Sequence, residues 1–191
     1  GLPTVTDANI SISGASGSGG TFKIGDTVTV TWNNTGSGDN NSSVSSVSAN
    51  FSAFGGGAAV AASNSSDTWT ATYSITSGAI DSTNLNVSVT ATNSGGSTTT
   101  ADTSNASVDN IAPSVTDDNI SISGGNGSGG AFIVGDTVTA TWNDSAGGNN
   151  NSDTISTVTV DFSQFGGGSA VAASNSSDTW TATYAITPGS L

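Results

Sequence analysis

Any chemistry in this chain has to come from aspartate and neutral oxygen. All 14 acidic residues are Asp, Lys23 is the only base, and His, Cys, Met, Arg and Glu are absent. Without His or Cys there is no neutral-pH proton shuttle and no thiolate nucleophile or ligand. Hard-cation binding by oxygen remains. Asp109, Asn110, Asp117 and Asp118 stand close together in sequence, and Asp7 is the counterpart of Asp117 in an earlier copy of the same segment. Calcium takes about six to eight oxygens from carboxylates, carbonyls and water, and this stretch offers all three. An inter-domain Ca²⁺ at these four residues is therefore one expectation, although the spacing matches no EF-hand loop. The other is that Asp and Asn cap turns here and keep strand ends soluble.

The remaining candidates have plainer readings. Asp26 and Asp136 precede one strong strand pattern, and Asp67 and Asp178 precede another, which suits turn capping. Paired carboxylates are the tools of glycoside hydrolysis. Here nothing would tune them apart, so catalysis is not expected. Thr27, Thr29 and Thr31, Thr68, Thr70 and Thr72, and Thr98 to Thr100 form rows that suit either a flat ligand-binding face or the wet side of a strand. Gly55-Gly56-Gly57 and Gly166-Gly167-Gly168 have no following Lys or helix and read as turns rather than phosphate loops.

The elements that would position these residues are strands. Gly25-Asp26-Thr27-Val28-Thr29-Val30-Thr31-Trp32-Asn33 opens with turn residues and then alternates without a fault. Val28, Val30 and Trp32 face one way and the three threonines the other, the period of a strand with one dry face. The stretch returns as Gly135 to Asn143. Pro3–Gly14 likewise returns as Pro113–Gly124, and after one inserted residue Phe51–Tyr73 returns as Phe162–Tyr184. About two thirds of aligned positions are identical. A repeat of about 110 residues is far longer than a solenoid repeat and is the size of a β-sandwich domain.

In the first copy the pattern predicts strands at Asn9–Ser13, Thr27–Asn33, Val44–Phe51, Thr68–Ile75, Asn84–Thr92 and roughly Ser97–Val108, with a short edge strand at Ala58–Ala62. Phe22 and Ile24 lead into the second of these. Asn64-Ser65-Ser66-Asp67 and Asn93-Ser94-Gly95-Gly96 read as turns. Phe54 breaks the phase of its strand, so a bulge or strand end is expected there. Trp32, Trp69, Phe22, Phe51 and Tyr73 must supply much of a core otherwise made of small residues. Val108 to Pro113 is the joint, where Pro113 stops the ladder, and it is too short for a flexible tether. The expected domains are 1–110 and 111–191, stiffly joined head to tail. The second copy lacks counterparts of Asp81–Asn110, the last two predicted strands. Truncation of a longer parent explains this better than strands donated by identical chains, because each chain carries one such strand pair and two cores.

The net charge of −13 disfavours nucleic acid, whose binding needs Lys and Arg, and anionic membrane surfaces. No run is long and apolar enough to span a bilayer, so membrane insertion is not expected. Cations, glycans and other neutral surfaces are the favoured partners. The lack of Cys excludes disulfides. Ser, Thr and Asn in place of Lys and Glu, with Asn-x-Ser/Thr triplets starting at Asn9, Asn50, Asn64, Asn86, Asn105, Asn119 and Asn175, point to an exported protein. The chain starts at Gly1 without a signal peptide, which suits a mature or excised segment.

With these residues in view, the chain resembles the bacterial Ig-like (Big-type) tandem repeat domains of large cell-surface and adhesin proteins. The resemblance rests on the Gly-Asp-Thr-Val-Thr strand opening, the Val89–Thr100 hairpin and the Val-Asp-Asn-x-x-Pro joint, and it covers nearly the whole chain. It implies tandem immunoglobulin-like Greek-key β-sandwiches, the second one incomplete. The implied role is a stalk, spacer or filament shaft on the cell surface, with neighbouring repeats as partners. It also implies calcium at joints of this kind. Family hairpins often carry an acidic pair where this chain has Asn93-Ser94. The alternatives are a module binding a glycan, ice or a partner cell through a Thr/Asn-rich face, and a filament or surface-layer subunit assembling with identical chains.

Overall fold

The computed structural model describes residues 1–189. Ser190 and Leu191, which align with Ala79 and Ile80, lie outside the described residues. The chain divides into two compact units, Gly1–Ala112 and Pro113–Leu191. It is all-β, with several antiparallel sheets, an arrangement consistent with a β-sandwich.

Unit 1 contains β1 (Ile10–Ser13), β2 (Phe22–Lys23), β3 (Thr27–Asn33), β4 (Ser46–Asn50), β5 (Val60–Ala61), β6 (Ser63–Ser65), β7 (Thr68–Ser74), β8 (Asp81–Leu85), β9 (Ser88–Asn93), β10 (Gly96–Ala101) and β11 (Ala106–Asp109). One sheet has the order β1-β3-β7-β6 and a second β10-β9-β4-β5. A third, β2-β11-β8, includes a parallel pair in which Val108 lies opposite Phe22. The β3–β7 ladder sets the core by its register, with Val28 opposite Tyr73, Val30 opposite Ala71 and Trp32 opposite Trp69. Large residues face small or flat ones across the ladder, so each inward pair fills its space. Val28, Val30, Trp32, Phe51, Phe54, Val87, Val89, Ala91 and Val108 are buried together.

Several predicted boundaries change. The stretch Asn84–Thr92 is two strands, β8 and β9, in different sheets. Asn84 has a left-handed φ of 58°, and the chain crosses between sheets at Asn86-Val87. Ser97–Val108 likewise splits into β10 and β11 around the buried Asp102. Phe22 does not run on into β3 but forms the separate β2, and Ile24 is exposed. Asn64 and Ser65 belong to β6, and the turn proper is Ser66-Asp67, both with positive φ, as a tight two-residue hairpin requires. Phe54 sits on a one-turn 3-10 helix, Ser52–Phe54, that brings its ring edge-on to Phe22 at 5.7 Å. The break in phase is thus a way of burying one more ring.

Unit 2 contains β12 (Ile120–Ser123), β13 (Thr137–Asn143), β14 (Thr159–Val160), β15 (Val171–Ala172), β16 (Ser174–Ser176) and β17 (Thr179–Ala185). Its main sheet, β12-β13-β17-β16, repeats the first sheet of unit 1, with Trp142 opposite Trp180. Among the described residues, the pair β14-β15 stands beside it. No strands corresponding to β8–β11 are found among the described residues of unit 2. Ile10 is 6% exposed whereas its counterpart Ile120 is 46% exposed. Val115, Ile120, Trp142, Val158, Val160 and Trp180 line a groove of about 570 Å³ on this open face.

Candidate functional site

The most developed polar constellation in unit 1 is a clasp on the N-terminal segment. The loop after β3 places Asp39 where its carboxylate accepts from Trp32 Nε1 at 2.6 Å, Thr6 N at 3.0 Å, Thr6 Oγ1 at 2.7 Å and Asn9 Nδ2 at 2.9 Å. Burial works to raise the Asp39 pKa. The Thr6 hydroxyl and amide, the Trp32 indole and the Asn9 amide outweigh it and hold the carboxyl below its usual range. Two residues on, Asn41 binds the backbone of Thr4 at both ends, with Thr4 N donating to Oδ1 and Nδ2 donating to Thr4 O, each at 2.8 Å. The buried Asn34 in turn holds Asn41, accepting from its N–H at 2.7 Å. Unit 2 has the same clasp with two exchanges between Asp and Asn. Asn149 replaces Asp39, accepting from Trp142 Nε1 at 2.7 Å and Thr116 N at 3.2 Å. Asn151 binds Ser114, and Asp144 replaces Asn34.

Local sequence carries little sign of this clasp, because Thr6 lies 33 residues from Asp39. One signal was available: in both copies a carboxylate or carboxamide stands seven residues after the Trp of the central strand.

The four residues proposed for calcium are distributed as follows. Asp109 ends β11, and its Oδ1 accepts from Ile111 N at 3.1 Å. Asn110 is buried and committed to the fold of unit 1. Its Oδ1 accepts from Ile80 N at 2.7 Å, its N–H donates to Ile80 O and its carbonyl accepts from Gly78 N. Asp117 and Asp118 open a 3-10 turn, Asp117–Asn119, in unit 2. Among the described residues no group of three or more acidic side chains converges as a metal-binding cluster. Asp7 turns to the β10–β11 loop, where Thr103 Oγ1 and Thr103 N donate to its carboxylate and lower its pKa.

Asp26 and Asp136 hold loops together. Asp26 accepts from Ser16 Oγ, Lys23 N and Ser16 N, in that order the chief groups that depress its pKa. Asp136 does the same with Ile133 N, Asn126 N and Asn126 Nδ2. Asp67 and Asp178 act through the backbone instead. Both take the left-handed turn conformation, and their carbonyls accept from Asn34 N and Asp144 N.

The Thr rows assemble in part. Thr29 lies opposite Thr72 and Thr31 opposite Thr70, and Ser11, Ser13, Ser63 and Ser65 extend this outer face across the four strands of the first sheet. Thr98–Thr100 is not one face. Thr99 points outward and pairs with Thr90 at 2.7 Å, whereas Thr98 and Thr100 share the inner face with Ala91 and Val89, and Thr100 donates to Val5 O at 2.7 Å. No helix of the described residues is long and apolar enough to cross a membrane. Compared with known proteins, the chain matches no family model, no curated protein and no solved structure.

Proposed function

We propose that the chain is a non-catalytic structural module, made of tandem immunoglobulin-like Greek-key β-sandwiches, from a long exported cell-surface protein. It serves there as a stalk, spacer or filament shaft. The observation that carries this reading is that polar side chains tie both ends of unit 1 to its body. Asp39 and Asn41 fasten the entering segment Thr4–Asn9. The leaving strand β11 is laid parallel to β2, and Asn110 pins its end to Ile80. A chain pulled from its ends meets these bonds first. The second copy repeats the entry clasp, as expected where one solution is used many times along a shaft. Asp26, Asp39 and Asp136 each spend their carboxylates on backbone N–H groups, which supports a structural use of these residues.

One observation favours a second reading. The outer face of β1-β3-β7-β6 is a neutral lattice of Ser and Thr hydroxyls, suited to a glycan, ice or another cell surface. A glycan array probed with the purified chain separates the two. The spacer reading predicts no hits above background, and a reproducible hit abolished by replacing Thr29 and Thr72 would establish the adhesin reading instead.

A further inference from the structure

The groove of unit 2 has a filled counterpart in unit 1. Residues 157–161 line the groove and are the repeat's counterparts of β4 (Ser46–Asn50). In unit 1, β9 pairs antiparallel along all five of those positions, with Ala91 opposite Val47 and Val89 opposite Ala49. Val89, Ala91 and Val108 share one buried cluster with Val5, Ile10 and Trp69. In unit 2 the corresponding Val115, Ile120 and Trp180 line the groove, and Val115 is 57% exposed against 7% for Val5. The strand itself is shortened. β14 keeps only Thr159 and Val160, the two residues that pair with β15, just as Ser48 and Ala49 pair with β5. A second edge is empty in the same way. β2 has β11 as its one neighbour in its sheet, and the counterparts of Phe22 and Lys23, Phe132 and Ile133, belong to no strand. Ile133 is 50% exposed. An apolar groove beside an unpaired strand edge is the setting for strand addition, in which backbone bonds hold the added strand and its alternate side chains fill the groove.

We propose that unit 2 takes up a polypeptide segment of the β8–β11 kind that lies outside these 191 residues. One of its strands adds antiparallel to residues 157–161, and a later one lies parallel to Phe132 and Ile133. Small apolar side chains at alternate positions enter the groove, those matching Val89 and Ala91 lying opposite Val160 and Val158. The adding strand is uncharged, as β9 is, which suits a chain of net charge −13. A second copy is the poorer donor. Its one such segment already completes unit 1, and giving it up would open that core in turn. The proposal rests on the strand pairing of unit 1 and not on the spacer reading.

The test titrates a synthetic peptide of residues 81–112 into the whole chain by calorimetry, with sedimentation of the chain alone beside it. The expected result is a monomeric chain that binds one peptide. Val89→Asp in the peptide carries a charge into the groove and should weaken binding by about a hundredfold or more. Thr99→Asp in the peptide, at an exposed outward position, should change it by less than about threefold. Val160→Asp in the chain should abolish it. A second form needs no free peptide: with residues 81–112 joined directly after Leu191, quenching of Trp fluorescence by acrylamide should fall as Trp142 and Trp180 are covered. Failure of the peptide to bind, together with unchanged quenching in the extended chain, would overturn the proposal. Binding that survives Val160→Asp would also overturn it, since the peptide would then sit elsewhere. So would a chain that dimerises alone and loses its dimer with Val160→Asp, which would make a second copy the occupant.

Discussion

Asp39→Ala should unfold unit 1 far below the temperature at which the native unit melts. The substitution removes the acceptor for Trp32 Nε1, Thr6 N, Thr6 Oγ1 and Asn9 Nδ2. Trp32 is 1% exposed, so its indole N–H cannot turn to water. A buried donor left unmet costs about 1–3 kcal/mol. Thr6 is exposed and can be re-solvated, so its two bonds and that of Asn9 together add about 1–3 kcal/mol. The total, about 2–6 kcal/mol, is a large part of the roughly 5–15 kcal/mol that holds a domain together. At about 4 °C per kcal/mol for a unit of this size, the melting temperature should fall by about 8–24 °C. Asp39→Asn is the matched control, because unit 2 makes the same clasp with Asn149. It should cost no more than about 1–2 kcal/mol. The two variants also separate in acid. The folded pKa of Asp39 is depressed, so its contribution is complete above the unfolded value of about 3.9 and is lost as pH falls through the lower folded value. Asp39→Asn should flatten the loss of stability below about pH 4. Thermal melting followed by Trp fluorescence at pH 7 and through pH 5 to 2 measures both effects. A fall of less than about 3 °C for Asp39→Ala, or equal falls for the two variants, would refute the clasp.

Four further substitutions probe the packing. Trp32→Ala should cost about 3–5 kcal/mol, read as a lower denaturant midpoint, since the indole fills the centre of the core. Phe54→Ala should cost a similar amount, while Phe165→Ala, at the half-buried counterpart in unit 2, should cost about half as much, because that ring is only partly removed from water. Gly14→Ala should prevent native folding, visible as lost near-ultraviolet dichroism. Gly14 has φ +115°, and a Cβ there would stand 1.9 Å from the Thr27 carbonyl oxygen.

The parts of the fold legible in sequence were those built on unbroken alternation. β3 runs from Thr27 to Asn33 as the pattern requires, and β7, β13 and β17 follow theirs almost as closely. Alternation could not show where a strand changes sheet. Leu85, Val87, Val89 and Ala91 keep one inward phase through the crossing at Asn86, because the chain keeps the same core on one side as it crosses. The parallel pairing of β2 with β11 joins segments more than 80 residues apart and has no local signal. The polar clasps were hidden for the same reason. Asp39 and Asn41 read as loop residues until the fold brings Thr4 and Thr6 beside them. Asn110 accepts from Ile80 N through its Oδ1, a contact made only in three dimensions and invisible in the local sequence.

A role in carrying force is tested most directly by pulling the chain from its two ends in a single-molecule experiment. Unit 1, with both ends fastened, should resist and then give way in one all-or-none step. The released length should be that of residues 1–112, on the order of 400 Å at full extension less the span of the folded unit. Asp39→Ala should lower the force of that step. Gradual yielding at low force, with no step of that length in the native chain, would contradict the structural role.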